Sequence, residues 1–190
     1  LKDSARAKEL AAKLHLEKMS EQEKRALARE FLEIDGDVAV VVYDALADKD
    51  AGRKELFDHY VKTGNASGAI LVGAELEKVE KYAAAVATTR GKLLEDAGRY
   101  ADAAESYKKA GRTLKMMNKV VACYVAGNRT EKAVEQLREI EKTFKKEAAP
   151  AAYRIAQLYQ EAEDTEKQKE ALRHVVRQYQ GTPEARKAGK

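Results

Sequence analysis

An all-α fold of stacked helix pairs is what this sequence predicts, and three observations carry the prediction. Apolar residues recur at helical spacing along almost the whole chain, and strand-type alternation is nearly absent. Gly and Pro are sparse, 11 and 2 in 190 residues, while 44% apolar and 36% charged side chains give the balance of a helical protein with a wetted surface. From Ala84 onward the chain becomes self-similar. Collagen-like, disulfide-stapled and low-complexity classes are excluded by the same composition. The apolar run Val38 to Val42 is five residues, against the roughly 20 that a membrane-spanning helix needs.

The elements follow in order. Leu10, Leu14 and Leu16 with Ala7 and Ala11 predict an amphipathic first helix from about Asp3 to Lys18. Ser20-Glu21-Gln22-Glu23 is a capping box, in which the Ser hydroxyl takes an amide of the first turn and the Glu reaches back. A second helix therefore runs from there to about Ile34, and Gly36 is expected to stop it. The β-branched run Val38 to Tyr43 reads as a buried helix extending to about Ala47, because a lone strand has no partner here. Asp48 and Asp50 offer a cap for a helix carrying Leu56, Phe57, Tyr60 and Val61, which ends near Gly64-Asn65. Residues 67–97 hold no strong breaker except Gly73 and Gly91, and are one long helix or two.

Chemistry-bearing constellations are few. His15, His59 and His174 stand far apart without a nearby Cys or second His, so metal-ligand spacing is absent and no metal or cofactor is expected. Cys123, the single thiol, cannot form an intrachain disulfide, leaves the redox compartment open and reads as a packing residue. Gly64-Asn-Ala-Ser67-Gly68 lacks the Gly-Lys-Ser/Thr ending that holds phosphate and reads as a helix connection. Glu95-Asp96 and Glu163-Asp164 fall at helix ends beside turn signals, with no pocket to make them acid/base pairs. Residues 1–106 carry 17 basic and 21 acidic side chains, residues 107–190 carry 19 and 11. The basic half has acids interspersed among its lysines, as on a solvated helical face, and Lys108-Lys109 and Lys145-Lys146 as its only paired lysines, where nucleic acid needs a denser cluster or interleaved aromatic platforms. Leu1 to Ser20 lacks the apolar core of about 7 to 15 residues of a signal peptide. The chain has no initiator Met and reads as a fragment or processed product.

Gly91-Lys-Leu-Leu94, followed by Gly98-Arg-Tyr100-Ala-Asp-Ala103-Ala-Glu-Ser-Tyr107-Lys-Lys-Ala110, resembles the tetratricopeptide repeat. A second unit follows with Val121, Tyr124, Asn128, Thr130, Ala133, Leu137 and Ile140, and a third with Ala156, Tyr159, Thr165, Leu172 and Val175, although Gln168 stands where Ala is usual. The expected division is thus 1–83, helix pairs without a clear repeat signature, and 84–190, with units at about 84–113, 114–148 and 149–181 and a C-terminal capping helix. Small residues at Gly91, Ala103, Ala110, Ala133 and Ala156 let helix backbones approach, while Leu94, Tyr107, Tyr124, Leu137, Tyr159 and Leu172 fill the seams. Pairs that cannot cover their apolar faces alone stack into a right-handed superhelical α-solenoid with one concave side. Thr182 with Pro183 caps a last short helix. The ending Val175 to Ala188 looks like that of bacterial tetratricopeptide proteins, many of which work in the cell envelope, although Gln180 replaces the usual Pro. A periplasmic setting is what that ending implies.

The resemblance places any ligand on the concave face. Carried over, the lining is Thr88, Lys92 and Glu95 in the first unit, Lys115 and Asn118 in the second, and Tyr153, Gln157 and Gln160 in the third, a polar lining of mixed charge. The carboxylate-clamp residues of chaperone-binding members map to Thr88, Lys92, Lys119, Pro150 and Arg154, of which only Arg154 agrees, so a clamp co-chaperone is disfavoured. The expected function is a non-catalytic scaffold that binds a protein segment on this face. The alternatives are a helical-repeat nucleic-acid binder using the basic half, and a regulatory helical part of a larger enzyme.

Overall fold

A computed structural model describes residues 4–34 and 36–190. These residues are helical, with no strand among them, and no helix of theirs is long and apolar enough to cross a membrane. They divide into two compact units, Leu1–Leu93 and Leu94–Lys190, the division falling within α6.

In the N-terminal unit α1 spans Ser4–Lys13; Asp3, its expected start, lies outside the described residues, as do the side chains of Ala7 and Ala11. The helix does not reach Lys18. His15 adopts a left-handed conformation (φ 48) and a single tight turn, Leu16–Lys18, follows. Continuous leucine spacing hid this break, because Leu10, Leu14 and Leu16 all still pack on the core.

The capping box forms as expected. The Ser20 amide donates to the Glu23 carboxylate at 2.8 Å and the Glu23 amide returns to Ser20 Oγ at 3.3 Å. It opens α2, Glu21–Ile34. Gly36 is not a stop but the first residue of α3, Gly36–Asp44, so the β-branched run is indeed helix, and Val38, Val42 and Tyr43 are buried.

Asp48 caps α4, Lys49–Lys62, by accepting from the Ala51 amide at 3.0 Å. Residues 67–97 form two helices, α5 (Ala66–Leu76) and α6 (Glu80–Asp96). The break falls at Glu77 to Val79, not at a glycine. There the Glu77 side chain, fully buried, takes both oxygens to the Arg90 guanidinium at 3.1 Å, and Arg90 also donates to the Ile70 carbonyl at 2.9 Å. A buried pair satisfied in this way ties α6 to α5.

The C-terminal unit continues with α7 (Tyr100–Lys109), α8 (Leu114–Ala126), α9 (Thr130–Thr143), α10 (Ala148–Glu161), α11 (Thr165–Gln178) and α12 (Pro183–Ala188). Each of α7 to α11 packs on the next, and α12 lies on both α10 and α11. Ala103, Ala133 and Ala156 sit at the crossings with no more than 1% exposure, and Leu94, Tyr107, Tyr124, Leu137 and Tyr159 fill the seams; Ala110 and Leu172 are only half-buried. Close packing of small against large residues is what allows antiparallel helices to stack in this way.

One turn recurs through the chain. Gly64, Gly98, Asn128 and Glu163 all have positive φ, between 54 and 74. In each case the next amide, of Asn65, Arg99, Arg129 or Asp164, reaches back five residues to Tyr60, Leu94, Tyr124 or Tyr159 at 2.8 to 2.9 Å. This closure satisfies the last carbonyls of the first helix of a pair. Its presence at Gly64, about 34 residues before Gly98 and hence one repeat length away, extends the repeat geometry to α4 and α5, where the sequence shows no signature.

Candidate partner-binding groove

The C-terminal unit carries a groove of about 540 Å³ between α8 and α10, with α9 at its base. Thr113 starts α8 by accepting from the Met116 amide at 3.3 Å, which fixes the helix register. Asn118, Ala122, Val125 and Ala126 then share one face. Across the groove α10 presents Pro150, Ala151 and Arg154, and Leu137 and Ile140 of α9 close the floor. The floor is therefore apolar, with Asn118, Glu147 and Arg154 as polar groups at its sides.

The eight residues expected on the concave face, and Arg154, the agreeing clamp position, have different surroundings. Asn118 and Arg154 both line the groove. Arg154 is held by Glu161 at 2.7 Å and reaches Gln157 at 3.4 Å, so its guanidinium is oriented rather than loose. Lys115 and Gln160 are exposed on the same two helices. Tyr153 is half-buried, with Lys187 of α12 6.0 Å from its ring centroid. Glu95 is bound internally, accepting from the Tyr107 hydroxyl at 2.7 Å and from Lys119 at 3.0 Å. Thr88 and Lys92 are exposed on the part of α6 that belongs to the N-terminal unit. The apolar floor was the missed component: Ala122, Val125 and Ala126 repeat at helical spacing on a face the polar positions alone do not mark.

On the opposite side, α9, α10 and α11 enclose a second cleft of about 540 Å³ whose walls are charged. Several of its polar groups are joined: Lys167 to Glu131 at 2.7 Å, His174 to Glu141 at 2.6 Å, and the Tyr179 hydroxyl to Glu141 at 2.7 Å, while Arg138 and Glu170 also line it. Burial pushes the Tyr179 hydroxyl well above its ordinary range, and the Glu141 carboxylate beside it pushes the same way. These groups lock α11 to α9. Cys123 is buried at 1% exposure, and desolvation raises its thiol to about 11, so it is a packing group. Among the described residues no cluster of three His, Cys, Asp or Glu side chains could hold a metal ion.

No protein-family model matches the chain, and no curated protein matches it. Among solved structures it is similar to MamA 41-end from Desulfovibrio magneticus RS-1, at 12% identity, with 85% of this chain and 97% of that chain covered and a TM-score of 0.44. It is also similar to a putative kinesin light chain with TPR-like repeats from Podosopora anserina, at 16% identity, covering 85% and 97%, TM-score 0.42. BtubC from P. vanneervenii gives 17% identity, 88% and 75% coverage and a TM-score of 0.42. The helix order, the buried small residues at the crossings and the repeated turn establish the architecture from this chain itself: an all-α helical repeat of the tetratricopeptide-like type.

Proposed function

We propose that the chain is a non-catalytic interaction scaffold whose C-terminal unit binds a segment of a partner protein in the α8–α10 groove. The observation that carries this reading is the groove's composition: an open apolar floor flanked by the Asn118 amide, the Glu147 carboxylate and the oriented Arg154 guanidinium. Such a site takes an apolar side chain and hydrogen-bonds the backbone beside it. A protein segment is favoured over nucleic acid because the groove floor is apolar and no aromatic ring lines it on which a base could stack.

The test uses peptides selected from a random library on the intact protein. Asn118→Ala with Ala122→Glu alters two exposed groove residues, so folding is retained and affinity should fall by about tenfold or more. Glu135→Ala, on the exposed face of α9, should leave affinity unchanged. Equal binding to the groove variant and the parent would sink the proposal, and retention of RNA near physiological ionic strength would favour the nucleic-acid alternative.

A further inference from the structure

The two charged side chains that line the α8–α10 groove differ in one respect. Arg154 is met by Glu161 at 2.7 Å. Glu147, half-buried at the start of α10, has no such partner. The helix dipole favours a negative charge at that end, yet the Glu147 side chain takes no amide of the first turn. Among the described residues it forms no hydrogen bond and no ion pair. Lys115, Lys145 and Lys146 are exposed on the flanking segments, and none of them pairs with it. With Arg154 balanced by Glu161, the groove is left negative.

A half-buried carboxylate attracts a cation more strongly than a fully solvated one, because less water screens the pair. The apolar floor beside it takes an apolar side chain. One bound segment can serve both. Ala151, on the groove wall, lies one turn of α10 beyond Glu147, a rise of about 6 Å. Two residues of an extended segment span about 7 Å, and one turn of a helical segment about 5 Å. An apolar residue seated against Ala122 and Ala151 therefore has a neighbour within about four residues that reaches Glu147.

We infer that the groove selects a basic segment of its partner, with an apolar side chain on the floor and a lysine or arginine paired with Glu147. This rests on the reading of the α8–α10 groove as the binding face. The lysine ammonium or arginine guanidinium supplies the donors that the Glu147 carboxylate lacks within the chain. An acidic residue at the same place in the segment is rejected, since it would bring a like charge against Glu147.

The probe is a displayed library of random peptides panned on the intact chain. Groove binders are those lost on Ala122→Phe, which fills the floor at an exposed position without changing the charge. Among them lysine or arginine should be enriched near an apolar anchor, and Asp and Glu depleted there. The strongest is then synthesised twice, once with its cation and once with Gln in that place, and both peptides are titrated against the parent and Glu147→Gln. Glu147 has no side-chain partner to lose, so the variant should keep its melting temperature. Its affinity for the cationic peptide should fall about fivefold, while its affinity for the Gln peptide stays the same; this non-additivity marks direct contact. Added salt should narrow the difference, and Glu147→Lys should turn the preference from Lys to Glu in the peptide. Groove binders without basic enrichment, unchanged affinity of Glu147→Gln for the cationic peptide, or an equal loss for both peptides would overturn the inference and leave the groove reading standing. A library with no binder sensitive to Ala122→Phe would overturn the groove reading, and this inference with it.

Discussion

Tyrosine hydroxyls paired with carboxylates recur at the crossings: Tyr107 on Glu95, Tyr124 on Glu105, and Tyr159 on Glu131. A lysine completes each of them: Lys119 at Glu95, Lys108 at Glu105 and Lys167 at Glu131. The pairs satisfy the polar ends of otherwise apolar rings, and they tie stability to pH. Burial pushes the Glu105 carboxyl up, but hydrogen bonds from Lys108 and Tyr124 outweigh it, and the carboxyl lies below the ordinary 4.5. Glu131 is lowered by its hydrogen bond from Lys167. A carboxyl depressed in the folded state binds fewer protons there than in the unfolded chain, so its contribution is complete above 4.5 and is lost as pH falls below it. At the alkaline end, burial raises the Tyr43 hydroxyl from 10.0 to about 12, helped by the Glu55 carboxylate, and stability is lost as pH rises through that range. Melting temperature against pH should therefore be flat near neutrality and fall on both sides. Glu105→Gln with Glu131→Gln should flatten the acid limb alone; an unaltered acid limb would contradict the assignment.

Helix approach is set by small residues, and Gly52 shows which effect wins. A β-carbon there would stand 2.8 Å from Tyr43 Cδ1 and 2.9 Å from Leu46 Cδ1, both on side chains that are at most 2% exposed. Gly52→Ala gains about 0.5–1 kcal/mol of helix propensity but overpacks a buried contact at a cost of about 1–3 kcal/mol. Net destabilisation of about 1 kcal/mol or more is expected from urea unfolding; net stabilisation would show that α3 and α4 can separate freely. The capped starts of α2, α4 and α12 and the C-terminal pairs were legible because caps and small-residue spacing are local. The break at His15 was not, since leucines continue on the same face beyond it. Nor was the role of Gly36, whose position after α2 suits a stop as well as a start. The repeat turn at Gly64 was masked by α5, whose Ala-Ile-Leu-Val run is nearly apolar all round and hides the periodicity.

Across the whole molecule, the proposed function rests on a surface groove. Polar positions carried over from the resemblance include Asn118 and Arg154, which line the groove, but not the apolar floor between them, because a floor is made by residues from three helices. The second cleft of the same unit has charged walls, with Glu131 and Glu141 engaged by Lys167 and His174, so the two faces of α10 differ in what they offer. The central claim is that the α8–α10 groove is the binding face of the C-terminal unit. The most direct measurement is methyl-labelled NMR of the intact chain titrated with a selected peptide. The account predicts that shifts concentrate on Ala122, Val125, Ala126 and Ala151, which line the groove, while Ala171, which lines the charged cleft, stays fixed. Shifts gathered at Ala171 and Ile155 instead, with the groove methyls unmoved, would contradict it.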